Sequence, residues 1–217
     1  MTDFAAARRA MVDCQVRPAD VTRYAIIEAM LAVPRERFVP KAKTEIAYAG
    51  CEIPLAPGRA LLEPRTLAKM LEAAQIGARD LVLDLAPGTG YSTALIARMA
   101  EAVIAIEPDS ELAATAQTVL SQVEADNAVV TSGDPSAGDP DHGPYDVIFI
   151  NGAVETLPQA LEAQLKEGGR LVALFRDSGS GQCHVLTKAP GGLSRRYVFD
   201  ADAPVLDGFR RAEAFAF

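Results

Sequence analysis

A short turn between an apolar run and a helical pattern is the stretch best suited to holding a small molecule. The turn passes through Asp84, Ala86, Gly88, Gly90 and Tyr91. Glycines at such positions let the backbone approach a ligand closely, and the first turn of the helix presents unpaired N–H groups. No Gly-Lys-Ser/Thr follows and the full G-x-G-x-x-G is absent, which excludes a phosphate loop and weakens a pyrophosphate site.

Polar side chains at the ends of the next apolar runs extend this candidate site. Glu107, followed by Pro108, lies about 20 residues further on, where an acidic residue accepts hydrogen bonds from ribose hydroxyls in nucleoside-binding α/β folds. Asp134 follows a third run and would either meet an adenine amino group or lie in an exposed loop. Asn151 follows a fourth run. This set predicts a nucleoside site, and a glycine turn without a phosphate signature favours S-adenosylmethionine.

Apolar runs alternate with helical patterns from residue 80 onward, which predicts a parallel sheet with right-handed crossovers. The predicted strands cover 80–85, 102–106, 128–130, 145–150 and 170–175. The predicted helices cover 91–100, 110–123 with Ser110 as N-cap, and 157–165. Segments 183–187, 194–199 and the period-two end 212–217 predict an antiparallel edge of the same sheet.

The N-terminal third has a different pattern, with no clear strand ladder in residues 1–76. Helices are predicted from Asp20, as N-cap, to residue 30 and over 64–74, where Pro64 occupies the first turn. Nothing in the sequence marks a linker. We therefore expect one domain, 1–217, in which residues 1–76 cap an α/β core formed by 77–217.

Composition narrows the function classes. The 217 residues carry 21 Lys+Arg against 29 Asp+Glu, a net charge of −8, and so lack the basic face of a nucleic-acid binder. Cys14, Cys51 and Cys183 are too scattered for a disulfide framework or a metal site and are expected to be buried or half-buried. No segment reaches the roughly 18 apolar residues of a membrane span. The sequence predicts a cytoplasmic protein without a metal and leaves the oligomeric state open.

One block of the N-terminal third is specific to a known family. Residues 33–40 read VPRERFVP, and further matching stretches are Met11-Val12, Gln15-Val16-Arg17, Ala47-Tyr48, Gly88-Thr89-Gly90-Tyr91, Gly133-Asp134 and Gly168-Gly169-Arg170. With these the chain resembles protein-L-isoaspartate O-methyltransferases over nearly its whole length. The resemblance implies a Rossmann-like class I methyltransferase fold with a mostly parallel seven-stranded sheet, an antiparallel C-terminal edge and an N-terminal helical cap. It also implies S-adenosylmethionine as methyl donor and a carboxyl methylation that starts the repair of isoaspartyl proteins.

The resemblance also assigns roles by position. Gly88 and Gly90 would line the methionine part of the cofactor, Glu107 would hold the ribose, and Asp134 would lie near the adenine. Departures from the family pattern are Leu62 for the hydroxyl residue that faces the substrate carboxylate, Ala60 for a threonine, Gly50 for an acidic residue, Ala86 for the first glycine of the turn, and Pro135 for a glycine.

The change at Leu62 leaves the catalytic residues unassigned. A substrate carboxylate is its own nucleophile, so methyl transfer is not forbidden, but isoaspartyl activity should be poor or redirected to another peptide or small carboxylate. Arg59 would either offer compensating positive charge or lie on the surface. The alternative is a catalytically inactive, S-adenosylmethionine-binding homologue that acts as a binding or scaffold protein.

Overall fold

Short helices and one small hairpin make up the N-terminal third. The computed structural model describes residues 2–177 and 179–211. The first elements are α1 (Phe4–Met11), a π-helical turn (Val12–Val16), a 3₁₀ turn (Arg17–Ala19), α2 (Tyr24–Ala32), 3₁₀ turns at Arg35–Phe38 and Lys41–Ile46, β1 (Ile53–Ala56), β2 (Arg59–Leu61) and α3 (Pro64–Ala74).

Strands and helices then alternate as predicted from the apolar runs. In chain order they are β3 (Leu81–Leu85), α4 (Tyr91–Ala97), β4 (Ala102–Glu107), α5 (Ser110–Gln122), β5 (Ala128–Ser132), β6 (Tyr145–Val154), α6 (Gln159–Ala163), β7 (Leu165–Phe175), β8 (Gln182–Ala189) and β9 (Gly192–Asp200). No helix within the described ranges is long and apolar enough to cross a membrane.

Among the described residues the main sheet has seven strands, in the order β5-β4-β3-β6-β7-β8-β9. The pairs from β5 to β7 are parallel, and β7-β8 and β8-β9 are antiparallel. This confirms the predicted α/β class and its antiparallel edge, although the strand predicted at 212–217 lies outside the described residues. Because the chain runs from β3 outward to β5 and then returns to β6 beside β3, the carboxyl ends of β3 and β6 flank a topological switch point, where such sheets bind ligands.

Both faces of the sheet are covered, which explains why the central strands are continuously apolar. One core cluster joins one face to the N-terminal third and includes Phe38, Leu62 and Val82. A second cluster covers the other face and includes Leu83, Leu85 and Ile148. The division into a cap and a core within one domain stays a prediction.

The absence of strands before residue 76 was a wrong prediction, because β1 and β2 form a separate antiparallel pair. Their four and three residues are too few to show an alternating pattern, and Pro54 lies within β1.

Several helix boundaries also differ from the predictions. Asp20, at φ 62°, ends a 3₁₀ turn instead of capping α2, which starts at Tyr24. Asp109, not Ser110, caps α5 by accepting from two backbone N–H groups. Helix α4 stops at Ala97, and α6 is shorter than 157–165 because Leu165 already pairs with Tyr145 in the sheet.

The cysteines follow the prediction only in part. Cys183 is buried, and burial raises the pKa of its thiol to about 12. Cys14 and Cys51 are exposed, against the expectation of buried or half-buried positions. All three are free thiols.

Candidate cofactor site

The turn after β3 is held in a left-handed backbone conformation. Ala86, Gly88 and Gly90 have φ of 55°, 64° and 90°. The Ala86 N–H donates to the Ile106 carbonyl at 2.8 Å, which ties the turn to β4. Glycine adopts this region freely, whereas for alanine it costs roughly 1–2 kcal/mol. The turn therefore retains the backbone shape of a glycine-rich loop even where its first glycine is Ala86.

The Asp84 carboxylate holds the turn in place through three side-chain hydrogen bonds. Its Oδ2 accepts from the hydroxyls of Ser92 at 2.8 Å and Thr93 at 2.7 Å, and its Oδ1 accepts from Asn151 Nδ2 at 2.7 Å. The carboxyl is fully buried, and burial raises its pKa to about 6 although these hydrogen bonds lower it. The hydrogen bonds of Asp84 thus link β3 to α4 through Ser92 and Thr93 and to β6 through Asn151. The sequence did not predict a role for Ser92 or Thr93.

Glu107 lies at the tip of β4 and is completely buried. Its Oε2 accepts from the Gly88 N–H at 2.7 Å, and its Oε1 accepts from the Asp109 N–H at 3.1 Å. Arg59 adds a two-pronged ion pair, Nη1 to Oε1 at 2.6 Å and Nη2 to Oε2 at 2.7 Å. The sequence reasoning offered a surface position or a substrate contact for Arg59, and the structure shows a third partner, Glu107.

A cavity of about 310 Å³ opens beside this ion pair. It is lined by Ala56, Pro57, Arg59, Ala86, Pro108, Asp109, Pro135, Leu206 and Asp207. The volume is at the low end of small-molecule pockets, which run from about 300 to 1,000 Å³. Strand tips, the β1-β2 hairpin and the segment after β9 all contribute walls. Leu206 and Asp207 were missed because nothing near them in the sequence marks a ligand site.

The two glycines of the turn make close contacts inside the chain. A Cβ on Gly88 would lie 2.5 Å from Leu55 Cδ1 of the hairpin, and one on Gly90 would lie 3.1 Å from the Ala116 Cβ of α5. Gly90 is therefore required for helix packing. A ligand could reach the backbone of Gly88 only if the Leu55 side chain moved away from it.

Two other predicted site residues lie away from the cavity wall. Tyr91 is fully buried, with the Arg35 guanidinium 4.9 Å from its ring centroid and Phe38 at 5.4 Å between centroids. Asp134 is exposed, and its Oδ1 accepts from the Ser136 N–H and hydroxyl. Their contacts with a cofactor stay predictions.

Leu62 lies in the main core with 3% of its surface exposed. Its carbonyl accepts from Arg35 Nη2 at 2.7 Å. Neighbouring Ala60 pairs with Pro54 in the hairpin. Leu62 is not among the residues that line the cavity, so its contact with a substrate stays a prediction.

These contacts define what the site can do chemically. It combines a buried carboxylate, a backbone N–H and a carbonyl with two prolines, Pro108 and Pro135, on the cavity wall. A carboxylate at a strand tip accepts from ribose hydroxyls, and proline rings offer apolar surface to a flat base. The arrangement suits a nucleoside without a phosphate group.

Solved structures share this fold. One named protein-L-isoaspartate O-methyltransferase has a TM-score of 0.79 at 23% identity, covering 92% of this chain and 65% of that chain. One from Plasmodium falciparum, described as a β-aspartate methyltransferase in complex with S-adenosyl-L-homocysteine, has a TM-score of 0.79 at 18% identity, covering 96% of this chain and 100% of that chain.

Sequence comparison gives the family. The model described as protein-L-isoaspartate(D-aspartate) O-methyltransferase matches residues 7–198. A protein-L-isoaspartate O-methyltransferase of Koribacter versatilis (strain Ellin345) is 38% identical over 200 residues, which are 92% of this chain and 90% of that protein. The chain therefore belongs to the protein-L-isoaspartate(D-aspartate) O-methyltransferase family.

Proposed function

We propose that this chain is an S-adenosylmethionine-dependent O-methyltransferase that methylates the carboxylate of an isoaspartyl peptide or protein. The observation that carries the proposal is the position of Glu107, buried at the tip of β4, bonded to the glycine turn and next to the 310 Å³ cavity. Family membership supports the same reaction. A cytoplasmic location and a role in protein repair belong to the proposal.

The residues present suit the donor in chemical type. Glu107 would accept hydrogen bonds from the ribose hydroxyls, the backbone of Ala86 and Gly88 would border the ligand, and Pro108 and Pro135 would face the base. The one conflict is Arg59, which holds both oxygens of Glu107 in this conformation. Binding therefore requires the ribose to replace the Arg59 guanidinium.

The reaction requires little acid–base catalysis by the protein. When bound, S-adenosylmethionine supplies an electrophilic methyl group on a sulfonium. An acceptor carboxylate has a pKa of about 4 and is already ionised at neutral pH, so no general base is needed. The chain's contribution is to hold the acceptor in line and keep water away, and alignment of this kind supplies much of a barrier reduction.

The residue at position 62 sets the expected rate. A hydroxyl there would donate a hydrogen bond to a charged acceptor, which is worth about 1.5–3 kcal/mol. Leu62 cannot donate, so we expect a rate on the order of ten- to a hundredfold below that of an enzyme with the hydroxyl. The inactive-scaffold alternative gains no support from the relatives reported above, which are named as methyltransferases.

Transfer of a labelled methyl group tests the proposal. The chain is incubated with labelled S-adenosylmethionine and an isoaspartyl peptide, and the matched control is the same peptide with a normal aspartyl linkage. We expect a base-labile methyl ester on the isoaspartyl peptide alone. Absence of transfer to this peptide and to a panel of small carboxylic acids would contradict the proposed activity.

A further inference from the structure

The ion pair between Arg59 and Glu107 closes the candidate site from within. It has two short N–O contacts, and the side chains are 12% and 0% exposed. Arg59 Nη2 also donates to the Ala86 carbonyl at 2.9 Å. The guanidinium therefore bridges the tip of β4 and the glycine turn, the two backbone elements that a nucleoside would contact.

Arg59 belongs to an element that is separate from the main sheet. It starts β2, and within the part of the chain that the structure describes β1 and β2 pair only with each other. At the turn between them, Gly58 has φ 69° and open space around it. Release of Arg59 therefore breaks no ladder of the seven-stranded sheet, while Ile53 and Leu61 at the ends of the hairpin stay packed in the core.

The hairpin touches the glycine turn at a second point. The Leu55 Cδ1 methyl lies 2.5 Å from where a Cβ on Gly88 would be, so its apolar side chain covers that glycine while Arg59 covers Glu107. The neighbouring cavity along Pro108, Asp109 and Pro135 stays open. If the cofactor binds as proposed above, this conformation fills the position of its ribose and leaves the position of its base free.

We propose that Arg59 is a built-in competitor for the ribose, so that a ribonucleoside cofactor binds Glu107 only after the hairpin releases this ion pair. The inference rests on the proposed function. Both partners donate hydrogen bonds to the same two oxygens of Glu107, so the guanidinium and the ribose cannot occupy this position together. The apparent affinity for the cofactor is then reduced by the fraction of molecules in which the hairpin is closed.

Titration with S-adenosylhomocysteine tests this directly. We expect Arg59→Gln to bind it more tightly than the unaltered chain, by roughly tenfold or more, since coupling of this kind is commonly about 5- to 150-fold. Adenine, which has no ribose hydroxyls and fits beside the closed hairpin, should bind both proteins equally. Calorimetry measures the affinity for S-adenosylhomocysteine, and ligand-observed NMR measures the affinity for adenine.

A matched control uses an ion pair at the opposite edge of the sheet. Arg170 Nη2 contacts Asp80 Oδ2 at 2.6 Å, with side chains 22% and 18% exposed. Arg170→Gln also removes an arginine from an ion pair, but it should leave the affinity for S-adenosylhomocysteine unchanged. A gain in this control equal to that of Arg59→Gln would overturn the assignment to Arg59.

Arg59→Gln leaves Glu107 without its cation and could misfold for that reason. Arg59→Lys provides a second test that does not depend on the folding of Arg59→Gln. Lysine keeps the charge but lacks the two-pronged guanidinium, so its affinity should lie between the other two. If the unaltered chain binds S-adenosylhomocysteine and neither Arg59 variant binds it more tightly, the competitor role is wrong while the proposed function stands. If none of the proteins binds it, the proposed function fails and the competitor role fails with it.

Discussion

Two buried carboxylates lie at the same turn and differ in their partners. Asp84 is held by two hydroxyls and an amide, whereas Glu107 is held by an arginine and two backbone N–H groups. The Asp84 contacts join secondary-structure elements of the core. The Arg59 contact with Glu107 comes from a separate hairpin. At the residue scale, Asp84 therefore stabilises the turn, whereas Glu107 is the residue that we propose for ligand binding.

The ligand-binding role of Glu107 predicts a loss of affinity in Glu107→Gln. Replacing a charged acceptor by a neutral one removes hydrogen bonds worth about 1.5–3 kcal/mol, so binding of S-adenosylhomocysteine should weaken on the order of ten- to a hundredfold. Calorimetric titration measures it. Glu107→Gln and its control, Glu111→Gln on the exposed start of α5, are both made in the Arg59→Gln background, so that release of Arg59 does not offset the loss. The control should bind as Arg59→Gln alone does; equal affinities in all three proteins would refute the proposed role of Glu107.

The raised pKa of Asp84 predicts a stability that depends on pH. Its folded-state pKa is about 6 against an ordinary value of 3.8, so the folded state binds the proton more tightly than the unfolded state. This contribution is fully present below the unfolded pKa and is lost as the pH rises through about 6. Relative to Asp84→Asn, the free energy of unfolding should fall on the order of 3 kcal/mol across this window.

Urea denaturation of both proteins at a series of pH values measures the difference. The comparison with Asp84→Asn cancels the titration of the other carboxylates. A difference in unfolding free energy that stays constant from below pH 3.8 to above pH 6 would show that burial does not perturb Asp84.

At the element scale, the central strands could be predicted and the hairpin could not. Strand β3 coincides with an apolar run in the sequence. Its residues Val82, Leu83 and Leu85 are buried, which explains why the strand could be predicted from that run. Strands β1 and β2 are too short to carry a pattern, and Glu72 of α3 fixes the start of α2 by accepting from the Thr22 and Arg23 N–H groups. Contacts between distant segments set these features, and local residue preferences do not encode them.

Arg35 connects its own 3₁₀ turn, Arg35–Phe38, to the segment that follows the β1-β2 hairpin. It is fully buried and donates to the carbonyls of Ala47 and Leu62, each at 2.7 Å. Arg35→Met would leave both carbonyls without this donor, at about 1–3 kcal/mol each. We expect the free energy of unfolding to drop by about 2–6 kcal/mol in urea denaturation.

Arg37 offers the matched control in the same turn. It is exposed, and its one side-chain hydrogen bond to a described residue, the Gln122 carbonyl, is long at 3.4 Å. Arg37→Met should change the unfolding free energy by no more than about 0.5 kcal/mol. Similar losses in the two variants would mean that the buried hydrogen bonds of Arg35 do not hold the cap.

Leu62 occupies the position proposed to face the acceptor carboxylate, and two substitutions there separate packing from chemistry. Leu62→Ala and Leu62→Ser both remove a buried side chain and should destabilise by about 2–5 kcal/mol. Only serine adds a donor for an acceptor carboxylate, so its methyl transfer to an isoaspartyl peptide should exceed that of the alanine variant by about tenfold or more. Equal rates, measured below both melting temperatures, would show that the hydroxyl is irrelevant.

At the scale of the whole molecule, the candidate site is assembled from three distant parts of the chain. The hairpin supplies Arg59, the strand tips supply Glu107 and Pro108, and the segment after β9 returns to supply Leu206. That return is fixed by backbone bonds between Ala153 and residues Pro204 and Leu206. The glycine turn and Glu107 were predictable because each follows its own strand, whereas the Arg59 pairing spans 48 residues and has no local signal.

The central claim is that a ribonucleoside cofactor binds at the carboxyl edge of the sheet against Glu107. The most direct measurement is a crystal structure of the chain with saturating S-adenosylhomocysteine. We predict ribose hydroxyls on the Glu107 carboxylate, the base beside Pro108 and Pro135, and the Arg59 guanidinium moved off Glu107. An intact Arg59–Glu107 pair beside an empty cavity, or a ligand bound elsewhere on the protein, would contradict the claim.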